Sequence, residues 1–220
     1  SIRIPASMTG TVGFKPSHGR ISRAGAMTLS RVLDHVGVFA RSVEDAALIA
    51  ECLMVHDPAD SDTRPSAAPH LSEIAAQEPP TEPRFAFVKT PVWSEAEAAT
   101  QAAFGELRDF LGDSCDEVTM PDEFETAVGN LRAIMYADLA RYLDRYMKRD
   151  ETKISEILRD MIQEGSGVHA VDYNRAVDQI PPLRAWIDEL SNAYDAIVTP
   201  ATPGEAPLGL EATGNPIFCS

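Results

Sequence analysis

The apolar positions change their spacing along the chain, and each change predicts a different kind of element. Over residues 1–40, short apolar pairs sit among glycines and prolines with no sustained helical period, which predicts loops and short strands. Ser42-Val43-Glu44-Asp45 then opens a helix with a serine N-cap and acids in the first turn. Ala46, Ala47, Ala50, Leu53 and Met54 follow at core spacing. The helix is expected to end near His56-Asp57-Pro58. Residues 57–83 carry six prolines among serines, alanines and acids, a composition poor in apolar surface that predicts a surface linker or excursion.

Arg84-Phe85-Ala86-Phe87-Val88-Lys89 reads as a strand, and Ser94-Glu95-Ala96-Glu97 as a capping box opening a helix. Ala103, Leu107, Phe110 and Leu111 are its expected core stripe, with Gly112 at its end and a short strand over Ser114–Met120. A strand–helix–strand unit over 84–120 predicts an α/β architecture. From Pro121 the pattern is helical for roughly seventy residues. Leu131 to Tyr146 form one apolar face and Ile154 to Ile162 another, with Gly165 and Gly167 as separators. A third helical stretch over 171–194 contains Pro181-Pro182, which is expected to split it. Asp195–Pro200 is a short buried-type strand, and residues 200–216 return to loop composition.

Charge narrows the function classes. Against 19 basic residues stand 34 acidic ones, a net charge of −15, which repels phosphate backbones and anionic lipid surfaces. No direct nucleic-acid contact and no membrane association are therefore expected. The three cysteines, Cys52, Cys115 and Cys219, lie far apart and form no Cys/His cluster, so neither a disulfide framework nor a zinc site is expected. Reduced thiols fit a cytoplasmic protein. Asp57, Asp60 and Asp62 imitate a calcium loop but lack its glycine turn and terminal glutamate, and read as a solvated acidic loop. The chain starts at Ser1 and stops at Ser220 without a cap, and reads as an internal piece of a longer protein.

The candidate chemistry begins at Ser1. A serine followed by Ile2-Arg3-Ile4-Pro5-Ala6 and a run of small residues predicts a tight backbone path, where enzymes place nucleophiles. Ser7, Ser17 and Ser22 read as turn residues, and Arg3 as a brace for the site's backbone through its planar donors. Asp34-His35 invites a Ser-His-Asp reading with Ser1, although adjacent residues seldom give the orienting geometry such a triad needs. His18, His56, His70 and His169 are scattered. Tyr136, Tyr142, Tyr146, Tyr173, Trp93 and Trp186 are candidates for pocket walls or for core.

Several linked stretches carry a resemblance. Ser1-Ile2-Arg3-Ile4-Pro5-Ala6, Val12-Gly13-Phe14-Lys15-Pro16, Gly19-Arg20-Ile21-Ser22, Leu33-Asp34-His35-Val36-Gly37 and Ala40–Ala47 resemble, in order, the amidase signature family, and the likeness returns at 195–203. The resemblance implies a mixed sheet flanked on both faces by helices, here incomplete. Its core would lie at 1–56 and 195–220, with a variable region at 84–194. It implies hydrolysis of amide C–N bonds in small molecules by a serine, cis-serine and lysine triad, with no metal or organic cofactor. On that carry-over Ser1 is the nucleophile. The relay serine, the lysine and the oxyanion donors belong upstream of residue 1, so Lys15 is not the catalytic lysine and residues 1–220 alone are expected to be inactive. The family also contains glutamine amidotransferases that release ammonia for tRNA-dependent amidation by a partner chain, a second expectation. A third takes the Ser1 amine as base, in an N-terminal-nucleophile hydrolase. A homodimer is the expected assembly, if any.

Overall fold

The computed structural model describes residues 2–219; Ser1 and Ser220 lie outside the described residues. The α/β class holds, with helices flanking a parallel sheet. The strands fall into an antiparallel pair near the start of the chain and a parallel trio further on.

The first forty residues contain a helix where loops and short strands are expected. α1 (Arg3–Thr9) forms because Pro5 falls in its first turn, where a missing N–H leaves no helical hydrogen bond unmade. Ala6, on its inner side, is buried against β1 (Val12–Phe14). That strand pairs antiparallel with β2 (Val38–Ala40), Gly13 opposite Phe39. α2 (Val43–Leu53) begins as the sequence predicts, its Asp45 amide donating to the Ser42 hydroxyl at 3.1 Å. Ala46 and Ala50 pack with Val38, Val12 and Phe14. Leu53 is exposed, so the buried stripe of α2 is made of alanines. A short helix, α3 (Leu71–Ala75), lies in the proline-rich stretch, held to α2 by Ser72, whose amide and hydroxyl both donate to Glu51 Oε2.

The parallel trio is β3 (Phe85–Lys89), β4 (Cys115–Thr119) and β5 (Ala196–Val198), with β3 in the middle. α4 (Ala98–Leu111) makes the crossover from β3 to β4, the strand–helix–strand unit expected over 84–120. Ala86, Phe87 and Val88 are buried, and Phe87 meets Trp93 edge to face at 5.5 Å and stacks on Phe104 at 6.3 Å. Two expectations about α4 fail. The Ser94 capping box does not form; residues 93–95 make a single turn, and Glu97, the residue before the helix, donates its amide to the Pro203 carbonyl at 2.8 Å. A contact across the fold has replaced a local cap. Phe110, placed in the core stripe, is 86% exposed, because Phe104 carries the contact with β3.

The helical middle comprises α5 (Ala127–Asp150), α6 (Glu156–Ser166), α7 (Ala170–Asp178) and α8 (Ile180–Leu190). Leu139, Leu143 and Ile162 are buried together between α5 and α6, with Met135, Leu158 and Met161 against them. Ile157 is exposed. Gly165 lies inside α6 rather than ending it: a Cβ there would collide with the Tyr136 carbonyl, so glycine permits the close approach of α6 to α5. Pro181-Pro182 does divide the third stretch, occupying the first turn of α8. No helix of the described residues is long and apolar enough to cross a membrane.

Candidate active site

Ile2 is the anchor of the stretch that begins at Ser1. It is 8% exposed and sits between two glycines. A Cβ on Gly37 would strike the Ile2 side chain and the Phe14 carbonyl, and one on Gly13 would lie 2.5 Å from Ala6 Cβ and 3.1 Å from the Ile2 carbonyl. The paired strands β1 and β2 thus form a notch that only hydrogen side chains leave open, and α1 starts from it. Ser7, further along α1, shares a hydrogen bond with the Thr202 hydroxyl at 3.0 Å and ties the helix to the segment after β5.

Ile2 and Arg3 line a cavity of about 770 Å³. Its other walls come from residues 23–36, from Asp60–Asp62, and from Leu131 and Tyr142 of α5. Arg3 is the first residue of α1, and its guanidinium donates to the Cys219 carbonyl at 3.3 Å. Lys15 also lines the cavity; burial and the nearby Arg3 charge hold its ammonium pKa below the usual value. Its amine donates to the Pro16 carbonyl at 3.2 Å.

Arg23 organises one wall. Its Nε and backbone amide donate to Asp60 Oδ2 at 3.1 and 2.8 Å, its Nη2 to Asp60 Oδ1 at 3.2 Å and to Asp62, and its Nη1 to the Arg31 carbonyl at 2.8 Å. Arg31 completes the cluster on Asp62 at 2.9 Å. The acidic loop is therefore not a solvated one: Asp60 is 8% exposed and Thr63 is buried. The Arg23 hydrogen bonds drive the Asp60 pKa far below the ordinary carboxylate range, and Arg31 with Arg23 takes Asp62 to about 2. Ser22 joins the same junction, donating to Asp57 Oδ2 at 2.6 Å and accepting from the Ala24 amide. Among the described residues, no cluster could hold a metal ion.

Asp34 and His35 do not act together. The Asp34 carboxylate accepts from the Leu29 and Ser30 amides at 2.9 and 3.0 Å and closes a turn. His35 instead engages the Leu33 carbonyl through Nδ1 at 2.7 Å and meets His18 edge to face at 5.3 Å. Burial lowers the His35 pKa, so the ring that lines the cavity is neutral near pH 7. Of the aromatic candidates, Tyr142 lines this cavity and Trp93 packs on Phe87. Tyr136 packs between α5 and α6, and Tyr173 donates to Asp138 at 3.2 Å. Tyr146 is exposed at the end of α5, and Trp186 packs edge to face on Phe124. The sequence did not single out Arg23 or Asp138; their partners stand 37 and 108 residues away, beyond the reach of any local pattern.

The Amidase family model matches residues 1–217. An amidase of Pseudomonas putida is 30% identical over 216 residues, covering 92% of this chain and 44% of its own length. A glutamyl-tRNA(Gln) amidotransferase chain of Moorella thermoacetica is 29% identical over 247 residues, covering 99% of this chain and 50% of its own. The chain thus spans about half the length of the curated relatives it matches. Among solved structures, one from a vestigial protein complex bearing on the origins of an s-triazine catabolic enzyme superposes with a TM-score of 0.85 at 27% identity. It covers 96% of this chain and 46% of that one. A crystal structure of an amidase gives 0.78 at 29%, covering 96% and 45%. With the family model matching residues 1–217, the chain belongs to the amidase family.

Proposed function

We propose that Ser1 is the nucleophile of an amide hydrolase and that the cavity beside Ile2 and Arg3 receives its substrate. The observation that carries this reading is the ordered run of motifs from Ser1 to Ala47, whose second and third residues line a cavity of about 770 Å³. A serine hydroxyl is a weak nucleophile and needs a base to take its proton as it attacks. The Ser1 oxygen forms a bond to the substrate carbonyl carbon. The resulting oxyanion collapses, the C–N bond breaks, and the amine leaves with a proton, giving an acyl-serine that water hydrolyses. The cis-serine and lysine that supply the base belong, on this reading, to the protein upstream of Ser1, as do the oxyanion donors.

Arg3 braces the backbone of the site through its bond to the Cys219 carbonyl. The neutral His35 and the paired Arg23 and Asp60 shape the wall without entering the proton transfer. The three free cysteines suit a cytoplasmic setting.

The test is labelling of the full-length protein with a serine-directed fluorophosphonate. Covalent label on Ser1 and loss of amide hydrolysis in Ser1→Ala are expected; label elsewhere, or full activity in the variant, overturns the assignment. Residues 1–220 alone are expected to show no turnover. The amidotransferase reading has its own support in the glutamyl-tRNA(Gln) amidotransferase relatives. Strict dependence on glutamine and co-purification with a tRNA-binding partner would favour it over a stand-alone amidase.

A further inference from the structure

A second cavity, of about 360 Å³, shares Arg3, Leu33 and Leu131 with the first and differs from it in chemistry. Arg3 is the one charged residue among its described lining. Val88 and Thr90 on one strand line, and Ile197 and Thr199 on the next, occupy alternating positions of neighbouring parallel strands and so share a face. Phe124, Ile134, Leu183 and Trp186 close the space opposite them. It lies at the carboxyl ends of β3 and β5, the place where open parallel sheets receive ligands.

The two threonines add a second observation. Thr90 and Thr199 each carry a buried hydroxyl with no hydrogen-bond partner among the described residues. Native proteins rarely leave such groups unpaired. Rotation about χ1 exchanges hydroxyl and methyl between staggered positions, so either oxygen can be turned toward an occupant of the cavity.

We propose that this cavity binds the apolar arm of the amide substrate, an aryl-alkyl group with one hydrogen-bonding atom that meets the Thr90 and Thr199 hydroxyls. The inference rests on the amide-hydrolase reading. The polar amide then lies by Arg3, where the two cavities meet, close in the chain to Ser1, and the arm extends over the sheet. Arg3, Leu33 and Leu131 are the wall common to both parts of such a molecule.

The test compares acetamide, 3-phenylpropanamide and 3-(4-hydroxyphenyl)propanamide as substrates of the full-length protein. Burial of the phenyl group is expected to raise kcat/KM over acetamide by about 30- to 100-fold. The phenol is expected to gain a further few-fold, roughly what one neutral hydrogen bond provides. Thr90→Val with Thr199→Val removes the phenol's gain and keeps the phenyl preference. Ala127→Phe, which fills the cavity from the start of α5, lowers the phenylpropanamide-to-acetamide ratio tenfold or more. Equal kcat/KM for all three amides, or ratios unmoved by these variants, overturns the proposal. Calorimetric binding of 3-phenylpropanamide to the full-length Ser1→Ala protein separates this inference from the one beneath it. Saturable binding that Ala127→Phe abolishes upholds the cavity assignment even if no amide is hydrolysed, whereas turnover with neither selectivity nor binding removes it and leaves the hydrolase reading standing.

Discussion

Ser30 donates its hydroxyl proton to Asp138 Oδ2 at 2.5 Å, joining the motif-bearing segment to the middle of α5 across 108 residues of chain. Asp138 is 4% exposed, and its other oxygen accepts from Tyr173 on α7 at 3.2 Å. Two hydroxyls thus carry the solvation of this carboxylate. Ser30→Ala leaves one oxygen unpaired in a buried position and should cost about 1–3 kcal/mol. Urea unfolding of the full-length protein checks this, and a double-mutant cycle with Tyr173→Phe is expected to show coupling, because both hydroxyls serve one charge.

The Arg23 cluster predicts a second loss. Arg23→Gln retains some hydrogen bonding but removes the positive charge facing Asp60 and Asp62, and should lower stability by about 2–4 kcal/mol. Proteolysis should then begin within residues 57–63, where Arg23 holds both Asp60 and Asp62. Cleavage elsewhere first would contradict the role given to this arginine.

The same cluster sets the response to acid. Asp60 and Asp62 have folded pKa values below their ordinary 3.8, Asp62 at about 2, so their stabilising contribution is complete above pH 4 and is lost as pH falls toward 2. His35 acts at higher pH. Its folded pKa is also depressed, from 6.5, so its contribution is complete above pH 6.5 and declines as pH falls through the lowered value. Unfolding midpoints measured against pH should show both declines, with His35→Gln removing the upper and Arg23→Gln the lower.

Gly37→Ala probes the notch that holds Ile2. The added methyl group meets the Ile2 side chain and the Phe14 carbonyl, so Ile2 or β1 must move. If Ser1 is the nucleophile, as proposed, a displacement of even 1 Å at the residue next to it can cost about 100-fold in rate. In the full-length protein, kcat is expected to fall by that order and the unfolding midpoint to fall with it, because the clash is with backbone. Loss of stability with unchanged kcat would separate the notch from the site.

What could be read from the sequence was what neighbouring residues decide among themselves. Ser42 and Asp45 are three apart and their bond forms; Pro181-Pro182 splits its helix; the apolar run 85–88 forms β3 and buries Ala86, Phe87 and Val88 in succession. The expectations that failed were overridden from a distance. The Ser94 cap lost to the Pro203 carbonyl, α1 forms against β1 despite its run of small residues, and Phe104 displaced the expected stripe of α4. The family was legible at the first motifs, but the cavity was not, because its walls are assembled from 2–36, 59–62 and α5.

The strand order also says when the molecule can be finished. β3 meets β4 after a short crossover, Arg84 reaching Asp116 32 residues on, but its other neighbour arrives only with β5, where Arg84 and Asp195 bond reciprocally across 111 residues. All of α5 to α8 lies inside that second loop. Parallel pairing over such a separation must bear its closure entropy before any contact rewards it. The central strand should therefore acquire its β5 partner late in folding, which leaves the apolar face of Val88 and Ile197 open to chaperones in the meantime.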